Sequence, residues 1–154
     1  MGVRVGVDVG TVRVGVAASD PAGVLATPVA MLPRDTRRRS DLQALAQLVA
    51  EREVVEVLVG LPRTLAGRNG VAADAARAYA VALAGQVAPT PVRLVDERLS
   101  TVSATRQLRE AGRRGPAARA RVDAAAAVVL LQAALDEERS TGRPPGETVS
   151  TARA

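Results

Sequence analysis

The 154-residue chain contains no cysteine, histidine, lysine, phenylalanine or tryptophan, and its one tyrosine is Tyr79. Without cysteine there are no disulfides, zinc–thiolate sites or thiol nucleophiles. Without histidine, a catalytic triad with an imidazole base is excluded. Acid–base work therefore falls to carboxylates, metal-bound water, Tyr79 or the termini. The scarcity of aromatics argues against reading single strands by base stacking. It also leaves the core to small aliphatic side chains: hydrophobic residues are 47% of the chain, mostly Ala and Val. Such a core suits close packing of helix on sheet.

Because lysine is missing, all 21 basic residues are arginine, set against 16 acidic ones, for a net charge of +5 and a pI near 11.2. Codon bias in a GC-rich genome accounts for the exchange of lysine for arginine. The surplus of positive charge is separate evidence and points to a polyanionic partner. The guanidinium fork matches phosphate in a bidentate way. Residues 1–20 carry Arg4, Asp8 and Arg13 inside their apolar pattern, unlike a signal peptide. The apolar stretch Ala124–Leu135 is too short to span a bilayer. The expectation is a cytoplasmic protein with no membrane contact.

The length fits one domain, residues 1–139, followed by a tail, 140–154, expected to be disordered. Residues 3–20 alternate β-branched with small or polar side chains and predict a strand, a tight turn and a second strand. Val24–Leu32 predicts a third strand, with Pro28 marking an edge or bulge. Ser40, with Gln43 three residues on, predicts a capping box opening a helix with Leu42, Leu45, Ala46 and Val49 on its apolar face. A buried-type strand, Val54–Gly60, runs into the loop Gly60–Gly70. A second helix follows, capped by Asn69, with Val71, Ala75, Ala78, Tyr79 and Ala82 on its apolar side. Val92–Arg98 predicts the last strand. A third helix from Ser100 or Thr101 to Gly112, a basic loop over 112–121 and a long helix over 119–139 complete the expectation. The early strands should form an antiparallel meander and the later ones run parallel to the first.

In such sheets ligands bind beyond the carboxyl ends of the strands. Asp8, the Gly60–Gly70 loop and the Asp96-Glu97-Arg98 triplet all fall at such ends. Asp8 is an acid closing an apolar strand, which costs solvation energy unless a cation meets it. Gly10, two residues on, allows close backbone approach to a ligand. Asp96 and Glu97 face opposite sides while the strand persists, so only one of them enters a common site readily. Asp123 sits in Arg121-Val122-Asp123-Ala124-Ala125-Ala126, where it either favours the helix dipole or is delivered to the strand ends. Three converging carboxylates repel one another, and a hard divalent cation relieves that repulsion.

The run Asp8-Val9-Gly10-Thr11 with Gly15, the Gly60-Leu61-Pro62 loop with Gly67, Asp96-Glu97-Arg98-Leu99-Ser100-Thr101, and Asp123-Ala124-Ala125-Ala126 together resemble the YqgF family, motif by motif and in order, to about residue 138. Members of that family are ribonuclease H-like proteins to which nuclease action on pre-16S ribosomal RNA is ascribed, and they are also likened to Holliday junction resolvases. The resemblance implies an α/β, ribonuclease H-like domain with a mixed five-stranded sheet flanked by helices. It implies that Asp8, Glu97 and Asp123 are catalytic and bind Mg²⁺ or Mn²⁺, with Asp96 in reserve. One ion would then activate water and a second would stabilise the leaving 3′ oxygen. Arg13, Arg63 and Arg98 lie beside the motif residues as candidates for gripping phosphate. Arg34, Arg37, Arg38, Arg39 and the Arg113–Arg121 loop are the wider basic surface.

The leading expectation is a metal-dependent endonuclease trimming the 5′ end of pre-16S ribosomal RNA. The alternatives are a resolvase of branched DNA, for which a homodimer would suit two-fold substrates, and a non-catalytic nucleic-acid-binding factor in ribosome assembly. Asp8-x-Gly10-Thr11 also resembles the first phosphate motif of actin-like ATPases, but those need two lobes, and this chain has the length of about one.

Overall fold

A computed structural model describes residues 2–62, 70–97 and 116–149, with side chains placed from residue 125 onward in the last stretch. The chain opens as an antiparallel meander, β1 (Arg4–Val9), β2 (Arg13–Ser19) and β3 (Ala26–Pro33). Helix α1 (Ser40–Glu51), β4 (Glu56–Leu61), α2 (Val71–Val87) and β5 (Val92–Asp96) follow, then α3 (Pro116–Thr141) and the short β6 (Glu147–Thr148). Strand order is β3-β2-β1-β4-β5-β6, with β4 parallel to β1 and β5 parallel to β4.

Side-chain alternation divides the sheet into two differently built faces. Val5, Val7, Val14, Val16, Val57, Val59, Leu61, Val92 and Leu94 meet Leu42, Leu45 and Val49 of α1 and Tyr79, Leu83 and Val87 of α2. On the other face, Ala17, Leu58 and Val95 meet Ala127, Leu130, Leu131, Ala134 and Leu135 of α3. Each fully buried leucine there contributes about 1.5–3 kcal/mol relative to exposure. Glycine sets how closely α3 approaches. A Cβ on Gly6 would stand 2.8 Å from Leu131 Cβ and 3.3 Å from the Ala127 carbonyl oxygen. The bare backbone of β1 thus lets the helix lie flush.

The antiparallel-then-parallel order matches expectation, and so does the bulge. The β2–β3 register slips between Val16 and Ala17, opposite Pro28, on an edge strand. Several local details differ. Among the described residues the sheet has six strands, not five, because Glu147–Thr148, in the stretch expected as a disordered tail, pairs with β5. Arg93 draws it in, donating to the carbonyls of Pro145 and Gly146 (2.9 Å each) and to Thr148 Oγ1 at 2.8 Å. Ser40 does not cap α1: the N-cap is Arg39, in a left-handed conformation with no side-chain cap bond. Asp35 organises the turn instead, accepting from Arg37 N, Arg38 N, Ser40 N and the Ser40 hydroxyl.

The buried face of α2 is rotated from the expected one. Ala73, Ala76, Tyr79, Ala80, Leu83, Ala84 and Val87 are buried, whereas Val71 is 88% exposed. The N-cap of α2 is Gly70; the expected cap, Asn69, lies outside the described residues. So do the expected helix over 100–112 and the start of the expected basic loop, up to residue 115; the rest of that loop, from Pro116, is not a loop but the first turns of α3, which begins three residues before the expected start at 119. No described helix is long and apolar enough to cross a membrane.

Candidate active site

The face that packs on α3 carries the acids. In β1, Val5, Val7 and Val9 face α1 and α2, so Arg4, Gly6 and Asp8 face α3. In β5 the same alternation sends Val95 and, two residues on, Glu97 to the α3 face, and Asp96 to the other. Asp8 and Glu97 are each only 3% exposed. Asp96 is half-buried. The choice that alternation left open between Asp96 and Glu97 thus falls on Glu97 as the companion of Asp8.

The two acids are separated by β4, and a glycine brings them closer. Gly60 stands one residue beyond Val59, the register partner of Val7, and so beside Asp8. A Cβ on Gly60 would lie 2.9 Å from Glu97 Oε1 and 3.4 Å from Glu97 Cγ. Glu97 therefore lays its side chain across the bare backbone of β4 towards β1. That leaves about one strand spacing, ~4.8 Å, between its carboxylate and the strand bearing Asp8.

Helix α3 brings position 123 towards the same end. It runs antiparallel to β1, because Glu138 pairs with Arg4 at 3.0 Å while Leu131 sits over Gly6. From Leu131 back to position 123 is eight residues, a rise of ~12 Å. From Gly6, Asp8 is ~7 Å along the sheet and the level of Glu97 is ~13 Å. Position 123 therefore falls at the level of the two strand-end acids, on the helical stripe that continues Ala127, Leu130, Leu131 and Ala134.

Arg13 opens β2 on the α3 face, next to Gly15, the register partner of Asp8. Asp8, Arg13, Asp96 and Glu97 are all engaged by neighbours. Arg63 and Arg98 lie outside the described residues. Among the described residues no three of His, Cys, Asp and Glu cluster as a metal site. The fit to a divalent ion thus rests on the donors themselves: two buried carboxylates on one face at one sheet edge, with position 123 at their level. Hard oxygen donors of this kind suit a hard divalent cation.

The opposite face of this edge holds a cluster that sequence reasoning missed, built from Arg34 and Tyr79, named there for other roles, and Asp41, not named at all. Arg34 donates through Nη1 to the Gly10 carbonyl at 2.8 Å, and its guanidinium lies 5.1 Å from the Tyr79 ring centroid. Tyr79 donates its hydroxyl to Asp41 Oδ2 at 2.9 Å. Burial, reinforced by the hydrogen bond to the Asp41 carboxylate and its charge, pushes the phenol's pKa far above its usual value. These groups line a cleft of about 210 Å³ with Arg39 and Leu42. Arg34, expected as part of a general phosphate-binding surface, is thus engaged with protein, whereas Arg37, Arg38 and Arg39 are exposed.

Comparison with known proteins agrees with this architecture. Residues 2–137 match the family model described as "RuvX: Holliday junction resolvase". A Mycobacterium sp. (strain KMS) protein named "Putative pre-16S rRNA nuclease" is 58% identical over 146 residues, covering 95% of this chain and 86% of that protein. A Nocardioides sp. (strain ATCC BAA-499 / JS614) protein of the same name is 54% identical over 153 residues, covering 96% of each. Among solved structures, Thermus thermophilus RuvC in complex with a Holliday junction substrate superposes with a TM-score of 0.57 at 13% identity. It covers 93% of this chain and 99% of that one, and shows a shared fold. On its own sequence and fold, the chain belongs to the RuvX (YqgF) family.

Proposed function

We propose that this chain is a divalent-metal-dependent endonuclease that hydrolyses phosphodiester bonds, acting at the 5′ end of a 16S ribosomal RNA precursor. The observation that carries the reading is the pair of 3%-exposed carboxylates, Asp8 and Glu97, brought over Gly60 to one sheet edge beneath the helix bearing Asp123. Buried acids in such proximity favour a cation between them. Asp8, Glu97 and Asp123 would hold Mg²⁺ or Mn²⁺. A bound ion would polarise the phosphate and make its water acidic enough to act as nucleophile near neutral pH. That scheme suits a chain without histidine.

The remaining work falls to arginine. Arg13 stands on the same face as Asp8 and would orient the scissile phosphate, with Arg63 and Arg98 as its expected companions. Exposed Arg37, Arg38 and Arg39, at the same end of the sheet, would follow the flanking backbone. The single aromatic ring, Tyr79, is buried and hydrogen-bonded to Asp41. Recognition therefore proceeds through phosphate and shape. The names of the relatives support the RNA substrate, and the family description supports a second reading, resolution of four-way DNA junctions.

The test incubates the protein with Mg²⁺ or Mn²⁺ on a 16S precursor, a model RNA and a four-way DNA junction, beside Asp8→Asn and Asp123→Asn. Cleavage of the precursor that both substitutions abolish is the expected result. Cleavage of the junction alone would select the resolvase reading. Binding without cleavage would select an assembly factor, and cleavage indifferent to both substitutions would reject the site.

A further inference from the structure

The turn that follows Asp8 is held from the side of the sheet opposite the acids. Gly10 N donates to the Arg13 carbonyl at 2.9 Å, closing the turn. Arg34 then grips it twice: its backbone N–H donates to the Val12 carbonyl and its Nη1 to the Gly10 carbonyl, each at 2.8 Å. The same guanidinium lies on the Tyr79 ring, whose hydroxyl is tied to Asp41 in the first turn of α1. Asp41 is 3% exposed and its Oδ1 has no hydrogen-bond partner. Its charge is therefore directed at the phenol and, beyond the ring, at Arg34. A phenol donating to an anion has an electron-richer face, which strengthens its hold on a cation.

We propose that Arg34 is a positioning residue for Asp8, holding the Gly10–Val12 turn while Tyr79 and Asp41 fix the guanidinium from α2 and α1. The catalytic edge is thus braced by the two helices that contribute none of its acids. The proposal rests on reading Asp8 as a site carboxylate. It separates Arg34 from Arg37, Arg38 and Arg39, whose exposed side chains suit phosphate. A planar fork is needed, because one donor must reach Gly10 O while the plane covers the ring. Lysine would keep the charge and lose the geometry.

The experiment compares wild type with Arg34→Lys, Arg34→Met, Tyr79→Phe and Tyr79→Leu, each checked for folding by thermal melting. RNA binding is followed against salt without metal, single-turnover cleavage with Mn²⁺, and amide hydrogen exchange over residues 10–13. For Arg34→Lys the expected result is an unchanged salt slope, faster exchange in the turn and a rate at saturating RNA lower by ~10²-fold, the scale of a 1 Å misplacement. Tyr79→Leu should behave likewise, while Tyr79→Phe, which keeps the ring but loses the tie to Asp41, should fall between wild type and Tyr79→Leu. A full wild-type rate for Arg34→Lys would show that charge alone matters and overturn the proposal. So would a salt slope reduced by about one for Arg34→Met with its saturated rate intact, the mark of a phosphate contact. If wild type cleaves nothing, the nuclease reading fails while exchange still judges the brace. Unchanged protection of residues 10–13 in both Arg34 variants would then overturn it.

Discussion

Gly60→Ala tests the geometry of the site with a single carbon. The new Cβ would stand 2.9 Å from Glu97 Oε1 and 3.1 Å from Leu130 Cδ2. Ordinary contact begins near 3.4 Å, so the carboxylate must retreat by about 0.5 Å and the leucine by less. Both are the far ends of flexible side chains, and both can yield. Overpacking costs ~1–3 kcal/mol, and replacing a strand glycine returns ~0.5–1 kcal/mol. The net loss of ~0–2.5 kcal/mol corresponds to a fall of no more than ~10 °C in Tm for a chain of this size. The rate should suffer more, because moving a reacting group by ~1 Å costs ~10²-fold. Gly6→Ala is the control. Its Cβ would meet Leu131 Cβ at 2.8 Å and the Ala127 carbonyl at 3.3 Å, where the helix itself must move. Gly6→Ala should therefore lower Tm more than Gly60→Ala does, with less effect on the rate per folded molecule. The assay is metal-dependent cleavage of end-labelled RNA under single-turnover conditions, beside melting followed by circular dichroism. A folded Gly60→Ala protein with the wild-type rate would refute the placing of Glu97 at the reacting centre.

Asp8→Asn and Glu97→Gln should each abolish metal-dependent cleavage while leaving a cooperative melt, and Asp96→Asn should keep most of the activity; rates and melting curves check all three. RNA affinity should fall steeply with salt, and Arg37→Ala should reduce the log–log slope by about one, as measured by fluorescence anisotropy. In acid, Asp35 should matter to the α1 turn. The Arg38 backbone N–H, then the Ser40 hydroxyl, lower its pKa from 3.8 to about 2. A depressed carboxyl pKa stabilises the fold above the unfolded value, and that contribution is lost as the pH falls from 3.8 towards 2. Asp35→Asn should therefore flatten the pH dependence of Tm in that window, and an unchanged acid profile would count against the turn's role.

Strand alternation made much of this architecture legible. Period-two patterning in residues 3–20 placed Asp8 at a strand end, and the same alternation put Asp96 and Glu97 on opposite faces. Only tertiary packing could choose between those two. Gly6 and Gly60 were more legible than they looked, since glycine inside a strand marks close approach by another group. Here that group is α3 over Gly6 and the Glu97 side chain over Gly60. Helix α2 was misread for a different reason. Val71–Val87 holds eight alanines, so its apolar pattern has little contrast and can be rotated at small cost. Tyr79, Leu83 and Val87, four residues apart, carried the true stripe. Asp41 resembled an ordinary first-turn acid, and its partner is 38 residues away. The β6 pairing rests on Arg93 reaching backbone carbonyls, which no local pattern announces.

The two faces of the sheet supply this edge with opposite kinds of group, and the division follows from side-chain size. On the α3 face, Gly6 admits a helix and Gly60 admits a carboxylate, so negative charge is concentrated where the backbone is bare. On the α1–α2 face the sheet is filled by valine and leucine, which leaves no room for charge within the layer. Polar groups there are confined to the rim, where Arg34, Tyr79 and Asp41 meet the turn after Asp8. Asp8 is therefore placed by both layers: the alternation of β1 sets the face it occupies, and the rim on the opposite face fixes the turn that follows it.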